Sequence, residues 1–144
     1  MCKHFILLLP NKPRQFHEVT TLLSQNDVNI LGYGLSSEGR AGYLYLLCSP
    51  HDKAYCLLSE KYKFYFSEVT VQIAEVEHKP GTLASILKIL ATADPPINLP
   101  NSYQAISSSG KVLIVKEFNN LDESSRANRV LRDNGINILS SHPD

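Results

Sequence analysis

Glu77-His78-Lys79-Pro80-Gly81-Thr82-Leu83 joins two segments of opposite periodicity. Upstream, Val69 to Glu77 alternates, with Val69, Val71, Ile73 and Glu75 on one face and Thr70, Gln72, Ala74 and Val76 on the other. A period of two in β-branched residues predicts a strand. Downstream, Leu83, Ile86, Leu87 and Leu90 fall at helical spacing, which predicts a helix over Gly81 to Ala93. Pro80 is expected in the first helical turn, where a missing N–H costs nothing. Gly81 removes a side chain where free backbone N–H groups gather, so the junction suits a small anion such as a carboxylate.

Composition narrows the possibilities around this junction. Across 144 residues, 43% are hydrophobic and 19% charged, the balance of a globular protein rather than a disordered one. Fourteen Lys and Arg cancel fourteen Asp and Glu, which argues against a partner recognised through a phosphate backbone. The longest apolar runs, Phe5 to Leu9 and Tyr43 to Cys48, are too short to cross a bilayer and lack the layout of a signal peptide, so neither a membrane nor a nucleic-acid partner is expected. Cys2, Cys48 and Cys56 are odd in number and show no C-x-x-C spacing, which points to reduced thiols and a cytoplasmic location.

Read in order, the chain says nearly the same thing twice. Phe5 to Leu9 is a strand, Arg14 to Asn26 a helix with Phe16, Val19, Leu22 and Leu23 on one face, and Val28 to Leu31 opens a second strand. Ser36 to Gly42 is a hairpin turn, Tyr43 to Cys48 a strand, and Ser49 caps a helix that begins with Pro50. A short strand, Phe64 to Phe66, completes the first set. The second set runs from the Val69 strand through the Gly81 helix and a strand opened by Ile97-Asn98-Leu99. It continues with a turn at Ser107 to Lys111, a strand at Val112 to Val115, a helix from about Asp122 to Asn134, and a last strand at Ile136 to Leu139.

Four landmarks recur in one order. Lys12-Pro13 matches Lys79-Pro80, Asn29-Ile30 matches Asn98-Leu99, the Ser-rich turns match, and the first helices share their apolar spacing. The expected fold is α+β, with two ferredoxin-like βαββαβ units covering 1–67 and 68–144. A unit this small has a thin core and an exposed edge strand. Docking the units edge to edge would cure both defects, giving one eight-stranded antiparallel sheet with the helices on one face.

A ferredoxin-like unit with Lys79-Pro80-Gly81-x-Leu83 after its first strand, and an Ile-Asn or Val-Asn entering the second, resembles the ACT domain. The resemblance covers nearly the whole chain as a tandem pair and is closest to stand-alone tandem proteins without a catalytic domain. It implies a non-catalytic regulatory module that binds an amino acid between its two domains and acts on a metabolic enzyme or regulator. One seam would join His78, Lys79, Pro80, Gly81, Thr82 and Leu83 with Asn29, Ile30 and Leu31; its twin would join Asn11, Lys12, Pro13 and Arg14 with Asn98 and Leu99. The family often has Asn or Asp where His78 stands and usually Gly where Arg14 stands. Arg14 is therefore expected to block the twin seam. The physics agrees: helix-start N–H groups suit a carboxylate, and an Asn amide oxygen suits an ammonium.

Other constellations carry less. The five histidines show no metal-ligand pairing, so neither a metal nor another cofactor is expected. Tyr43 and Tyr45 share a strand face without the basic signature of an RNA-recognition surface. No nucleophile–base motif accompanies the Ser-rich turns. A small ferredoxin-like enzyme or a regulatory subunit using the same interdomain pocket is the alternative, and an oligomer-forming subunit with a vestigial pocket a third reading. Self-association into a homodimer is the expected assembly.

Overall fold

The computed structural model describes all 144 residues. Seven strands and four helices follow one another as β1 (Cys2–Pro10), α1 (Pro13–Gln25), β2 (Asn29–Glu38), β3 (Ala41–Ser49), α2 (His51–Lys61), β4 (Phe66–Val76), α3 (Thr82–Thr92), β5 (Asn101–Ile106), β6 (Val112–Glu117), α4 (Leu121–Asp133) and β7 (Asn137–Ile138). They form two compact units. The N-terminal unit is Lys3–Val69 with His142–Asp144, and the C-terminal unit is Thr70–Ser141 with Met1–Cys2.

In the N-terminal unit, β3 pairs antiparallel with β1 on one side and β2 on the other. The chain entering β4 lies along the free side of β1, where the Leu8 N–H donates to the Tyr65 carbonyl at 2.9 Å. The spatial order, start of β4, β1, β3, β2, is that of a ferredoxin-like βαββαβ unit. Its core is the single face made by Phe5, Leu7 and Leu9 of β1 and Leu44, Leu46 and Cys48 of β3. Val19 and Leu23 of α1 and Ala54 and Leu58 of α2 cover that face, so both helices lie on one side of this sheet. Alternation along the strands made that face apolar.

The C-terminal unit repeats the plan in the order β5, β6, β4, β7, all antiparallel. Ala74, Ile114 and Ile138 present its helix-facing side to Ile86 and Leu90 of α3 and Ala127 and Leu131 of α4. The duplicated hairpins agree in detail: Gly39 and Gly110 both have positive φ, at 62° and 84°, in the turns that match in sequence. Asn120 accepts a hydrogen bond from the Glu123 N–H at 2.9 Å and caps α4.

Several expectations are corrected. The strand count is seven rather than eight, because Phe66–Val76 is one uninterrupted strand that ends the first βαββαβ set and begins the second. Ser67-Glu68 contains no Gly or Pro, and the Glu68 carboxylate is held by His51 and Lys3, so nothing breaks the extended chain there. Pro80 does not enter α3. Gly81 takes a left-handed conformation (φ 89°) as N-cap, and the helix starts at Thr82. In α1, where Arg14 replaces that glycine, the helix starts directly on Pro13. Likewise α2 begins at His51, with extended Pro50 as its cap residue. Ile97-Asn98-Leu99 precede β5 as irregular chain, because Ile97 turns into the core and its N–H donates to the Leu90 carbonyl at 3.0 Å. Of the expected face of α3, Ile86 and Leu90 are buried, whereas Leu83 and Leu87 are exposed and partly buried Ile89 packs against the core.

Candidate functional site

The Gly81 junction opens onto a cleft of about 460 Å³ in the C-terminal unit. Lys79, Pro80, Gly81 and Thr82 form one wall, and Gly135 to Asn137, where α4 hands over to β7, form another. Ser85, one turn into α3, and Glu75 and Glu77, at the end of β4, complete it. No side chain caps the start of α3. The Thr82 N–H donates to the Lys79 carbonyl at 3.4 Å, and the amides of Leu83 and Ala84 after it stand at the positive end of the helix dipole.

Two hydroxyls differ in how they are used. Ser85 Oγ donates to the Gly81 carbonyl at 2.9 Å and is engaged. Thr82 Oγ1 is buried without a hydrogen-bond partner in a residue that lines the cleft. A buried hydroxyl left unmatched costs free energy, and a polar ligand would recover it. No atom within 4 Å would meet a Cβ on Gly81, so the space there is open. The Lys79–Glu77 ion pair, at 3.2 Å, is well exposed and contributes little. The cleft is thus lined by an uncapped helix start and by two carboxylates, Glu77 paired with Lys79 and Glu75 with Lys111.

His78 is exposed and lines an adjoining cleft of about 370 Å³ with Gly110, Lys111 and Asn137. Leu83 is 53% exposed and lies outside the lining. Asn98 is exposed and lines neither cleft. The residues brought together around Gly81 are thus Lys79, Pro80, Gly81 and Thr82. Sequence reasoning missed Ser85 and Asn137. Ser85 follows from the rule that a residue one turn into a helix shares the face of its first residue. Asn137 had no comparable signal.

The first loop of the N-terminal unit has its own cleft, of about 490 Å³. Asn11 and Pro13 meet Ile30 there, over a floor of Leu44 and Leu46 with Phe16 and Tyr33 at the sides. Arg14 is exposed and does not line it. Asn29 and Ile30 also border a more polar cleft of about 710 Å³ with His17, Thr20, Ser24 and Asp27 of the α1 region. Leu31 is buried at a β-bulge between Ile30 and Gly32 and serves packing. The two loops that match in sequence therefore open onto different chemistry, one polar and one apolar.

The histidines are not all scattered. His51 and His142 stack at 3.8 Å, and His51 Nε2 lies 2.6 Å from a Glu68 oxygen. These residues are far apart in sequence, and no spacing announces them. No three His, Cys, Asp or Glu side chains converge as metal ligands. No helix is long and apolar enough to cross a membrane.

No protein-family model matches the chain, and no curated protein matches it either. Among solved structures the chain is similar to protein BT0572 from Bacteroides thetaiotaomicron, at 23% identity and a TM-score of 0.78, over 96% of this chain and 91% of that one. It is also similar to the regulatory subunit of aspartate kinase from Thermus thermophilus in its ligand-free form, at 10% identity and a TM-score of 0.58, over 91% and 90% of the two chains. A third similarity is to the aspartokinase alpha and beta subunits, at 17% identity and a TM-score of 0.55, over 91% and 90%. At these identities the likeness is one of fold, and the fold of this chain is shared with a regulatory subunit of an amino-acid kinase.

Proposed function

We propose that the chain is a non-catalytic regulatory module of the ACT type that binds a free amino acid at the Gly81 junction and passes its occupancy to a metabolic enzyme or regulator. The observation that carries this reading is the cleft at the uncapped start of α3, where Gly81 leaves open space and Thr82 Oγ1 lacks a partner. The carboxylate of the ligand takes the α3 amides and the Thr82 hydroxyl. Its ammonium faces Glu75 and Glu77, which line the same cleft. The fold shared with an aspartate kinase regulatory subunit and the Lys79-Pro80-Gly81-x-Leu83 motif support the same reading. The three unpaired cysteines fit a reducing compartment such as the cytoplasm, where free amino acids are regulatory signals. The chain works as a homodimer.

A thermal-shift screen with each of the twenty L-amino acids and its D-enantiomer tests this. One or a few L-amino acids should raise the melting temperature, a ligand at about a hundred times its Kd adding about 2.7 kcal/mol. Thr82→Val keeps the shape of the side chain, removes the hydroxyl and should weaken the shift. Silence across the screen favours a vestigial pocket in an oligomer-forming subunit, and turnover of a hit would make the protein an enzyme.

A further inference from the structure

We infer that the 142–144 segment is a proton-released clasp, seated within the N-terminal unit through His142 while that imidazole is neutral and let go when its Nε2 takes up a proton. The geometry fixes the tautomer. The Lys3 backbone N–H donates to His142 Nε2 across 3.1 Å. A backbone amide can only donate, so Nε2 carries its lone pair and the ring proton sits on Nδ1. A proton arriving at Nε2 removes the acceptor and sets N–H against N–H.

The second hold on His142 fails under the same condition. Its ring lies flat on the His51 ring, with centroids 3.8 Å apart and planes 10° from parallel, and the other face of His51 stacks on Phe5 at 4.6 Å. His51 is buried and shares a 2.6 Å hydrogen bond with Glu68, whose other oxygen takes the Lys3 ammonium at 3.4 Å. Each Glu68 oxygen is therefore already engaged by another residue.

The charged side chains acting on His142 are His51 and Asp52 from α2 and Glu68 from β4, while Lys3 of β1 meets its ring through the backbone N–H. Burial, then the neighbouring His51, hold the His142 imidazole below the usual histidine range against the opposing pull of Asp52 and Glu68. The seated segment therefore binds fewer protons than the free one. By linkage its seating is complete above the ordinary imidazole range, near 6.5, and weakens as the pH falls through and below it.

The clasp does not depend on the ligand proposed for the Gly81 cleft. Backbone 15N relaxation of the intact protein at about pH 8 and about pH 5.5 tests it, with circular dichroism recording the rest of the fold at both. The amides of His142 and Asp144 should show order parameters of about 0.85 at the higher pH and below about 0.6 at the lower one. His142→Gln places an amide oxygen that accepts from Lys3 and does not titrate, so its segment should stay ordered at both pH values. His142→Ala should be mobile at both. A wild-type segment equally ordered at the two pH values overturns the inference. So does a glutamine variant that releases at the wild-type midpoint, or a ring proton found on Nε2 at the higher pH.

Discussion

Phe16 occupies the space that a side chain at position 42 would need. A Cβ on Gly42 would lie 2.6 Å from Phe16 Cζ and 3.2 Å from Cε1, while the Asn11 backbone stands 3.6 Å away. The absent side chain on β3 lets the aromatic ring of α1 sit down against the sheet, and the ring then forms a side of the apolar cleft beside Asn11 and Ile30. Gly42→Ala should therefore force Phe16 off its position, lowering stability by about 1–3 kcal/mol as overpacking does. Urea unfolding reads this as a lower midpoint with an unchanged slope. An unchanged midpoint would show that the ring moves without cost.

Lys116 should make stability rise with pH above neutrality. It is fully buried on β6, and its ammonium nitrogen donates to the Ile114 carbonyl at 3.1 Å. Its register partner Gln72 spends its amide N–H on Asn128 and leaves its buried carbonyl oxygen without a partner. Burial pushes the lysine down from an ordinary value of 10.5 to about 7. The folded chain thus releases this proton near pH 7, whereas the unfolded chain keeps it until about 10.5. Between those values the unfolded state binds more protons, so this lysine makes stability climb with pH across that window and adds no slope below it. Lys116→Met should raise stability below pH 7 by about 2 kcal/mol or more and flatten the rise. Melting curves from pH 6 to 10 compare the two, and parallel curves would refute the assignment.

Gly81 should be replaceable only at a cost to the backbone. Its φ of 89° is left-handed, although its surroundings are open. Gly81→Ala should lose about 1–2 kcal/mol and Gly81→Asn less, because asparagine tolerates this region better. Chemical denaturation of the pair checks the order. Any loss of ligand response in Gly81→Val therefore mixes strain with obstruction, and Thr82→Val is the cleaner probe of binding.

Asn120 should matter to α4 in proportion to one hydrogen bond. Asn120→Ala removes the acceptor for the Glu123 N–H and should cost about 1 kcal/mol. Asn120→Asp should restore it. Equal stability of the alanine variant and wild type would show that water replaces the cap.

The duplicated plan was legible because it rests on local signals. Helical spacing in α1 and α4, alternation in β1 and β3, and Gly39 and Gly110 in matching turns each specify one element without help from the rest of the chain. What failed depended on tertiary partners. Helical spacing puts Leu83, Ile86, Leu87 and Leu90 on one face of α3, and Ile86 and Leu90 are buried, but Leu83 and Leu87 are exposed because spacing in a nearly all-apolar helix does not say how far the buried face extends. The separate strands expected on either side of Ser67-Glu68 are one strand, and the side-chain partners that hold Glu68 within it lie on β1 and α2. For the site, Lys79 to Thr82 were visible as a helix-start motif. Asn137, the Gly42–Phe16 fit and the His51–His142 stack join residues distant in sequence, and no pattern within either partner foretells them.

The central claim is that a free amino acid seats at the start of α3. Titrating unlabelled amino acids into 15N-labelled protein and following each backbone amide tests it most directly. The account predicts saturable, stereoselective shifts centred on the amides of Gly81, Thr82 and Leu83 and on Asn137, all reduced in Thr82→Val. Shifts confined to other residues, or an unmoved spectrum with every amino acid, would contradict it.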